Sequence, residues 1–151
     1  MISVLHLPQP LRANLMNEAR DAFPRECCGL VEGTLSGVHA RATALHATRN
    51  LAVEPDRFEI DPAVHFALLR GLRGTARQII GCYHSHPNGR AEPSDRDRAA
   101  ALQTGFLWLI AALDSDSRKE LRVAAFVSTG CAFSLVRIAA ASLDRVAARP
   151  V

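Results

Sequence analysis

The run FLWLIAAL at 106–113 constrains this chain more than any other stretch. Its eight consecutive apolar residues leave no polar face to turn towards water. The run is far shorter than the roughly 20 residues a membrane span requires. It has the length and composition of a strand buried on both faces, the central strand of a sheet covered by other layers. The rest of the 151 residues must supply those layers. A chain of this length with 48% apolar residues suffices for one domain with its own core.

Helical periodicity runs through LRANLMNEARDAF (11–23), with Pro24 as its stop. CCGLVEG (27–33) reads as a strand entering a glycine turn, and VHARATALHA (38–47) alternates at period two as its hairpin partner. A polar loop, TRNLAVEPDR, leads to a short FEI strand. DPAVHFALLRGLRG (61–74) starts a helix at Asp61-Pro62 and stops it at Gly74. QIIGCYHSH (78–86) is a β-rich run, and Ser94 begins a helix extending to about Gln103. ELRVAAFVS (120–128) and AFSLVRI (132–138) complete the strands, and the tail from 141 is weakly specified. Helices interleaved with strands, then strands alone, predict an α/β sheet of mixed direction with helices on its faces.

The net charge of +3 comes almost wholly from scattered arginines, Lys119 being the sole lysine. That distribution describes a solvated surface and no nucleic-acid stripe. The N-terminus lacks the basic start and unbroken apolar stretch of a signal peptide, and no run spans a membrane, so a cytoplasmic protein is expected. Cys27, Cys28, Cys82 and Cys131 form no C-x-x-C pair and read mostly as small buried hydrophobes.

The chemistry concentrates in GCYHSHPNGRAEPSDRDR. His84 and His86 stand two apart at a strand end, so both imidazoles leave one face. Pro87, Asn88 and Gly89 turn the chain, Ser94 is a natural N-cap, and Asp97 falls in the first turn of the helix. Two histidines, a returning carboxylate and an open fourth position describe a catalytic zinc site. The plainer reading also stands: histidine pairs occur on exposed strands, and Ser-x-x-Asp is a common cap without a metal role. His6, His39, His46 and His65 lack such partners and read as surface or satisfied core residues. The H-E-x-x-H of zincins, the nucleoside deaminase signature, G-x-S-x-G, the P-loop and the dinucleotide fingerprint are all absent from the sequence.

H-S-H-P followed by S-x-x-D resembles the JAMM motif of the JAB/MPN metalloproteases. That family also carries a glutamate near the start of the first core strand, and PRECCGLVEG supplies Glu26 in that context. P-x-E-C-C-G-L, RFEIDP (57–62) and FLWLIAAL are similar to segments of the small bacterial members, so the resemblance covers nearly the whole chain. It implies a single JAB/MPN domain over 1–140, a curled mixed β-sheet flanked by helices and similar to the cytidine deaminase fold, with a tail at 141–151. It implies Zn2+ bound by His84, His86 and Asp97. Glu26 is then the general base and Ser94 a hydrogen-bond donor to the developing oxyanion or the water.

Small bacterial members resemble enzymes acting on ubiquitin-like sulfur carrier proteins whose tails end in Gly-Gly, in one activity releasing cysteine from the carrier. Such a tail is expected to add to a sheet edge as a strand, with Tyr83 and loop 87–93 crowding the site so that only small residues pass. No nucleic-acid or membrane partner is expected. The alternatives are a JAMM peptidase with another target (deubiquitinase-like, or associated with phage tails or cell walls), a RadC-like DNA-associated protein, and a scaffold MPN domain. The retained ligand set speaks against the last, and the ECCG segment speaks for the peptidase.

Overall fold

The apolar run at 106–113 is a central strand. The computed structural model describes residues 1–114 and 122–140. Chain order is β1 (Val4–Leu7), α1 (Gln9–Ala22), β2 (Cys28–Ser36), β3 (His39–Thr48), α2 (Pro62–Gly71), β4 (Gln78–His86), α3 (Asp95–Ala100), β5 (Leu107–Ala112), β6 (Arg122–Ser128) and β7 (Phe133–Ala140). All six residues of β5 are buried. It lies between β4, to which it is parallel, and β6, to which it is antiparallel. The expected α/β unit built on a mixed sheet, with helices on its faces, is the architecture observed.

The sheet does not stop at a curl. Its strand order is β1-β3-β2-β4-β5-β6-β7, and β1 closes the barrel by pairing in parallel with both β3 and β7. The sequence reading placed no strand at 4–7. VLHL is too short to show a period, and its partners are the edges of two strands distant in sequence, so only assembly creates it. Closure is uneven, so a sheet edge of the kind expected for a ligand strand persists along β3. Each strand in the order has a neighbour on both sides, but β1 meets β3 only over His39–Arg41, and among the described residues no strand pairs with that side of β3 at 42–48.

Side chains alternating across the strands form two apolar layers. Leu107, Leu109, Ala111, Val31 and Tyr83 face α1, which buries Leu15 and Ala19, four apart on one helical stripe. The opposite face carries Leu30, Cys82 and Trp108 beneath Phe58, Ile60 and Leu68. Tyr83 is fully buried and its hydroxyl donates to Glu18 of α1 at 2.8 Å. It therefore lies on the face away from His84, and the expectation that it crowds the histidine site is corrected. A Cβ at Gly29 would collide with the Tyr83 ring and the His46 carbonyl, so glycine is required for this close approach.

β2 runs through the glycine turn expected at Gly33 and ends at Ser36, whereas three other elements fall short of their sequence readings. FEI contributes only an isolated bridge between Asn50 and Ile60. α2, capped by the Asp61 carboxylate accepting from the Ala63 N–H, ends at Gly71. α3 ends at Ala100, short of Gln103. There the Ser128 hydroxyl donates to the Ala101 carbonyl and the Gly105 N–H donates to the Ser128 carbonyl, so β6 captures backbone groups that a longer helix would use. Residues 120–121 of the strand read at 120–128, and the tail 141–151, lie outside the described residues.

Candidate active site

β4 delivers His84 and His86 to one face at the carboxyl end of the sheet, and α3 brings Asp97 back to meet them. The cap of α3 is reciprocal: the Asp97 N–H donates to Ser94 Oγ at 3.1 Å, and the Ser94 N–H donates to Asp97 Oδ2 at 2.8 Å. One carboxylate oxygen is thereby fixed by the helix start. The Nε2 atoms of His84 and His86 lie 2.9 Å apart, and the Asp97 carboxylate lies 3.2 Å from each. The three residues are 0%, 4% and 4% exposed.

Three Lewis-base atoms so placed fit a divalent cation. The His86 Nδ1–H donates to the Arg90 carbonyl at 2.7 Å, which turns the Nε2 lone pair towards Asp97 and His84. A single proton on His84 Nε2 cannot satisfy both short contacts of that atom, and His84 Nδ1 is a buried nitrogen without a hydrogen-bond partner. Tetrahedral zinc with ligands at about 2.0–2.1 Å places them about 3.3–3.4 Å apart, close to the separations found. Burial pushes the His84 pKa down, favouring the neutral imidazole that a metal needs. Burial acts the same way on His86, but the Asp97 and Arg90 hydrogen bonds and the Asp97 and Glu26 charges outweigh it and hold His86 above its usual value. For Asp97, burial is outweighed by hydrogen bonds from both histidines and the Ser94 amide, which keep it well below the carboxylate range.

Glu26 precedes β2, whose antiparallel register sets Cys28 opposite His84. The ladder continues through the Ser85 N–H donating to the Cys27 carbonyl at 3.1 Å, so Glu26 comes level with His86. The side chain is 7% exposed, and burial raises its pKa to about 7. The His86 charge opposes that rise, and the Asp97 and Asp56 charges add to it. A buried carboxyl poised there can exchange a proton near neutral pH.

Two hollows meet at these residues. A cleft of ≈ 360 Å³ carries Glu26, Ser94 and Asp97 at one end and Leu30, Phe58 and Trp108 along its apolar side. A second hollow, of ≈ 540 Å³, shares Glu26 and Ser94 and is bounded by Pro24, Pro55, His86 and Pro87. Loop 87–93 thus borders the site, as expected, through Pro87 and Asn88. An ion pair between Arg96 of α3 and Asp56, 3.0 Å long, joins residues that line both hollows.

All five residues singled out in the sequence meet here. Others were missed. Phe58 stacks on His84 with ring centroids 4.2 Å apart, Asn50 donates to the Glu26 carbonyl, and Ser85 Oγ accepts from the Cys27 N–H at 2.8 Å. Ser85 stood between the histidines and could have been flagged. Asn50 sat in a polar loop with nothing to mark it. Of the other histidines, His65 lines the apolar-sided cleft beside Phe58 and Trp108, His46 pairs with Glu32 at 2.8 Å, and His6 meets His39 at 3.0 Å. Cys27, Cys28 and Cys82 are buried as read, whereas Cys131 is exposed.

Residues 8–126 match the family model described as prokaryotic homologs of the JAB domain. The chain is 31% identical over 136 residues to the desampylase of Haloferax volcanii, an alignment covering 81% of this chain and 96% of that protein. It is 32% identical over 97 residues to tail tip assembly protein K of Escherichia phage N15, covering 64% of this chain and 36% of that protein. The solution structure of a protein from Desulfitobacterium hafniense has a TM-score of 0.79 at 25% identity, covering 94% of each chain.

Proposed function

Because the chain belongs to the family of prokaryotic JAB-domain homologues, we propose that it is a zinc-dependent peptidase or isopeptidase. Its substrate is a ubiquitin-like sulfur carrier protein, cut after the C-terminal Gly-Gly, for example with release of cysteine. The observation that carries the reading is the convergence of His84, His86 and Asp97 beside a buried Glu26. The likeness to a desampylase supports a hydrolase acting on a ubiquitin-like modifier. The phage match spans little more than a third of that protein and supports the shared domain, with no tail role implied.

His84, His86 and Asp97 would hold the zinc, which when bound supplies Lewis-acid polarisation of the scissile carbonyl and acidifies water. Glu26 takes the proton of the attacking water and returns it to the leaving amine. Ser94 Oγ already accepts from Asp97, so its own O–H is free to donate to the developing oxyanion. The tail lies in the cleft between the Phe58–Ile60 segment and α3, whose lining includes Glu26, Ser94 and Asp97. Its glycines pass where a side chain would meet the buried ligands.

The test is mass spectrometry of a Gly-Gly carrier extended by cysteine, incubated with zinc-loaded enzyme, beside variants with either glycine replaced by valine. Cleavage after the second glycine, slowed at least about tenfold by either valine, is expected, since wrong shapes in a closed site cost about 1–3 kcal/mol. Equal cutting of all three, or none by a zinc-loaded enzyme, removes the carrier assignment.

A further inference from the structure

The Glu26 side chain is only as well placed as its backbone, and one side chain governs that backbone from the cleft side. Asn50 lies just after β3, and its amide uses its full hydrogen-bonding capacity. Nδ2 donates to the carbonyl of Glu26 at 3.0 Å and to that of Arg57 at 2.8 Å. Oδ1 accepts from the N–H of Ala52 at 2.9 Å and of Glu59 at 3.0 Å. A single side chain therefore closes loop 51–59 at both ends and ties it to Glu26. The loop carries Asp56 and Phe58, which wall the cleft, and Phe58 stacks on His84. From outside, the exposed Arg25 guanidinium also grips this loop, at the Ala52 and Val53 carbonyls. Among the described residues, the side chain that bonds the Glu26 backbone is that of Asn50.

On the far side, the Glu26 segment is held by the strand that bears the metal-site histidines, through Ser85 Oγ and the Cys27 N–H. The Glu26 backbone is thus clamped between β4 and the cleft wall. We infer that Asn50 is the positioning residue that sets Glu26 against the scissile bond and keeps the cleft wall in register with it. This rests on the hydrolase reading above. Displacement of a reacting group by about 1 Å costs about 10²-fold in rate, so a clamp of this kind acts on turnover more than on substrate binding.

Asn50→Asp separates the two duties. A carboxylate still accepts from Ala52 and Glu59, which holds the loop at those two amides, but it has no N–H for the Glu26 and Arg57 carbonyls and sets a repelling oxygen against them. The zinc-loaded variant should retain its metal and its KM within about twofold, while kcat falls about 10- to 100-fold. Combined with Glu26→Gln, it should cost nothing further, because a residue acting through Glu26 has nothing left to position. Amide NMR shifts at Glu26 and Cys27 should move even without substrate. Losses that multiply in the double variant, or a change in KM alone, would overturn the inference. Should Asn50→Asp not fold, Asn50→Gln, which offers the same groups one methylene further out, is read in the same cycle. If the wild type cleaves nothing, the functional reading fails. The shifts then decide alone: unmoved Glu26 and Cys27 amides in a folded variant refute the clamp.

Discussion

Glu26→Gln should make the metal-free protein more stable as it makes the enzyme nearly inactive. The native pKa of Glu26 is about 7, against an ordinary value of 4.5. The unfolded chain therefore ionises this group first, and folding must hold back its charge. The sign is opposite to that of a salt-bridged carboxylate. Below about pH 4.5 both states are protonated and Glu26 costs nothing; the cost grows as pH rises from 4.5 to 7 and is complete above. Its full size is about 3 kcal/mol, of which roughly 2.5 kcal/mol develops between pH 5 and pH 8. Glutamine has the same shape and no charge to bury, and any fixed cost of its amide cancels when the two pH values are compared. Urea unfolding of both proteins in chelator at pH 5 and pH 8 reads the difference directly. The variant's advantage should grow by about 2 kcal/mol or more across that range. Adding zinc should shrink it, since a cation beside Glu26 stabilises the carboxylate. An advantage that is absent, or identical at both pH values, would mean that Glu26 is solvated and that its proton is not held for catalysis. The same variant should keep its zinc and lose about 10²–10⁴-fold in kcat, the usual worth of a general base.

His86→Ala and Asp97→Ala should each lose bound zinc on dialysis while the wild type retains one equivalent per chain, as elemental analysis would show. Wild-type affinity should weaken on acidification as His86, held above its ordinary pKa, takes up a proton that competes with the metal. Gly29→Ala should destabilise the domain by about 3 kcal/mol or more, at or beyond the upper end for overpacking, because the added carbon meets a backbone carbonyl as well as the Tyr83 ring. Thermal melting measures it, and a Tm within a degree or two of wild type would show that the Tyr83 ring and the β3 backbone give way at no cost.

Much of this molecule was legible in its sequence because the signals were local. The unbroken apolarity of 106–113 demanded burial on both faces, and β5 has it. Two histidines two apart on a strand must share a face whatever the fold, and Ser94 caps α3 through contacts three residues long. The PRECCGLVEG context marked Glu26. What assembly alone decided depends on partners far apart in the chain. β1 became a strand because β3 and β7 left edges for it, and that pairing closed the sheet into a barrel. The ladder between β2 and β4 brought Glu26 level with His86. Tyr83 turned to α1 because its neighbours in the strand turned to the metal site. Asn50 acquired its place only when a loop folded back over Glu26. A period or a cap is a property of a few consecutive residues, whereas a register or a clamp belongs to two segments at once, and only the folded chain sets those two side by side.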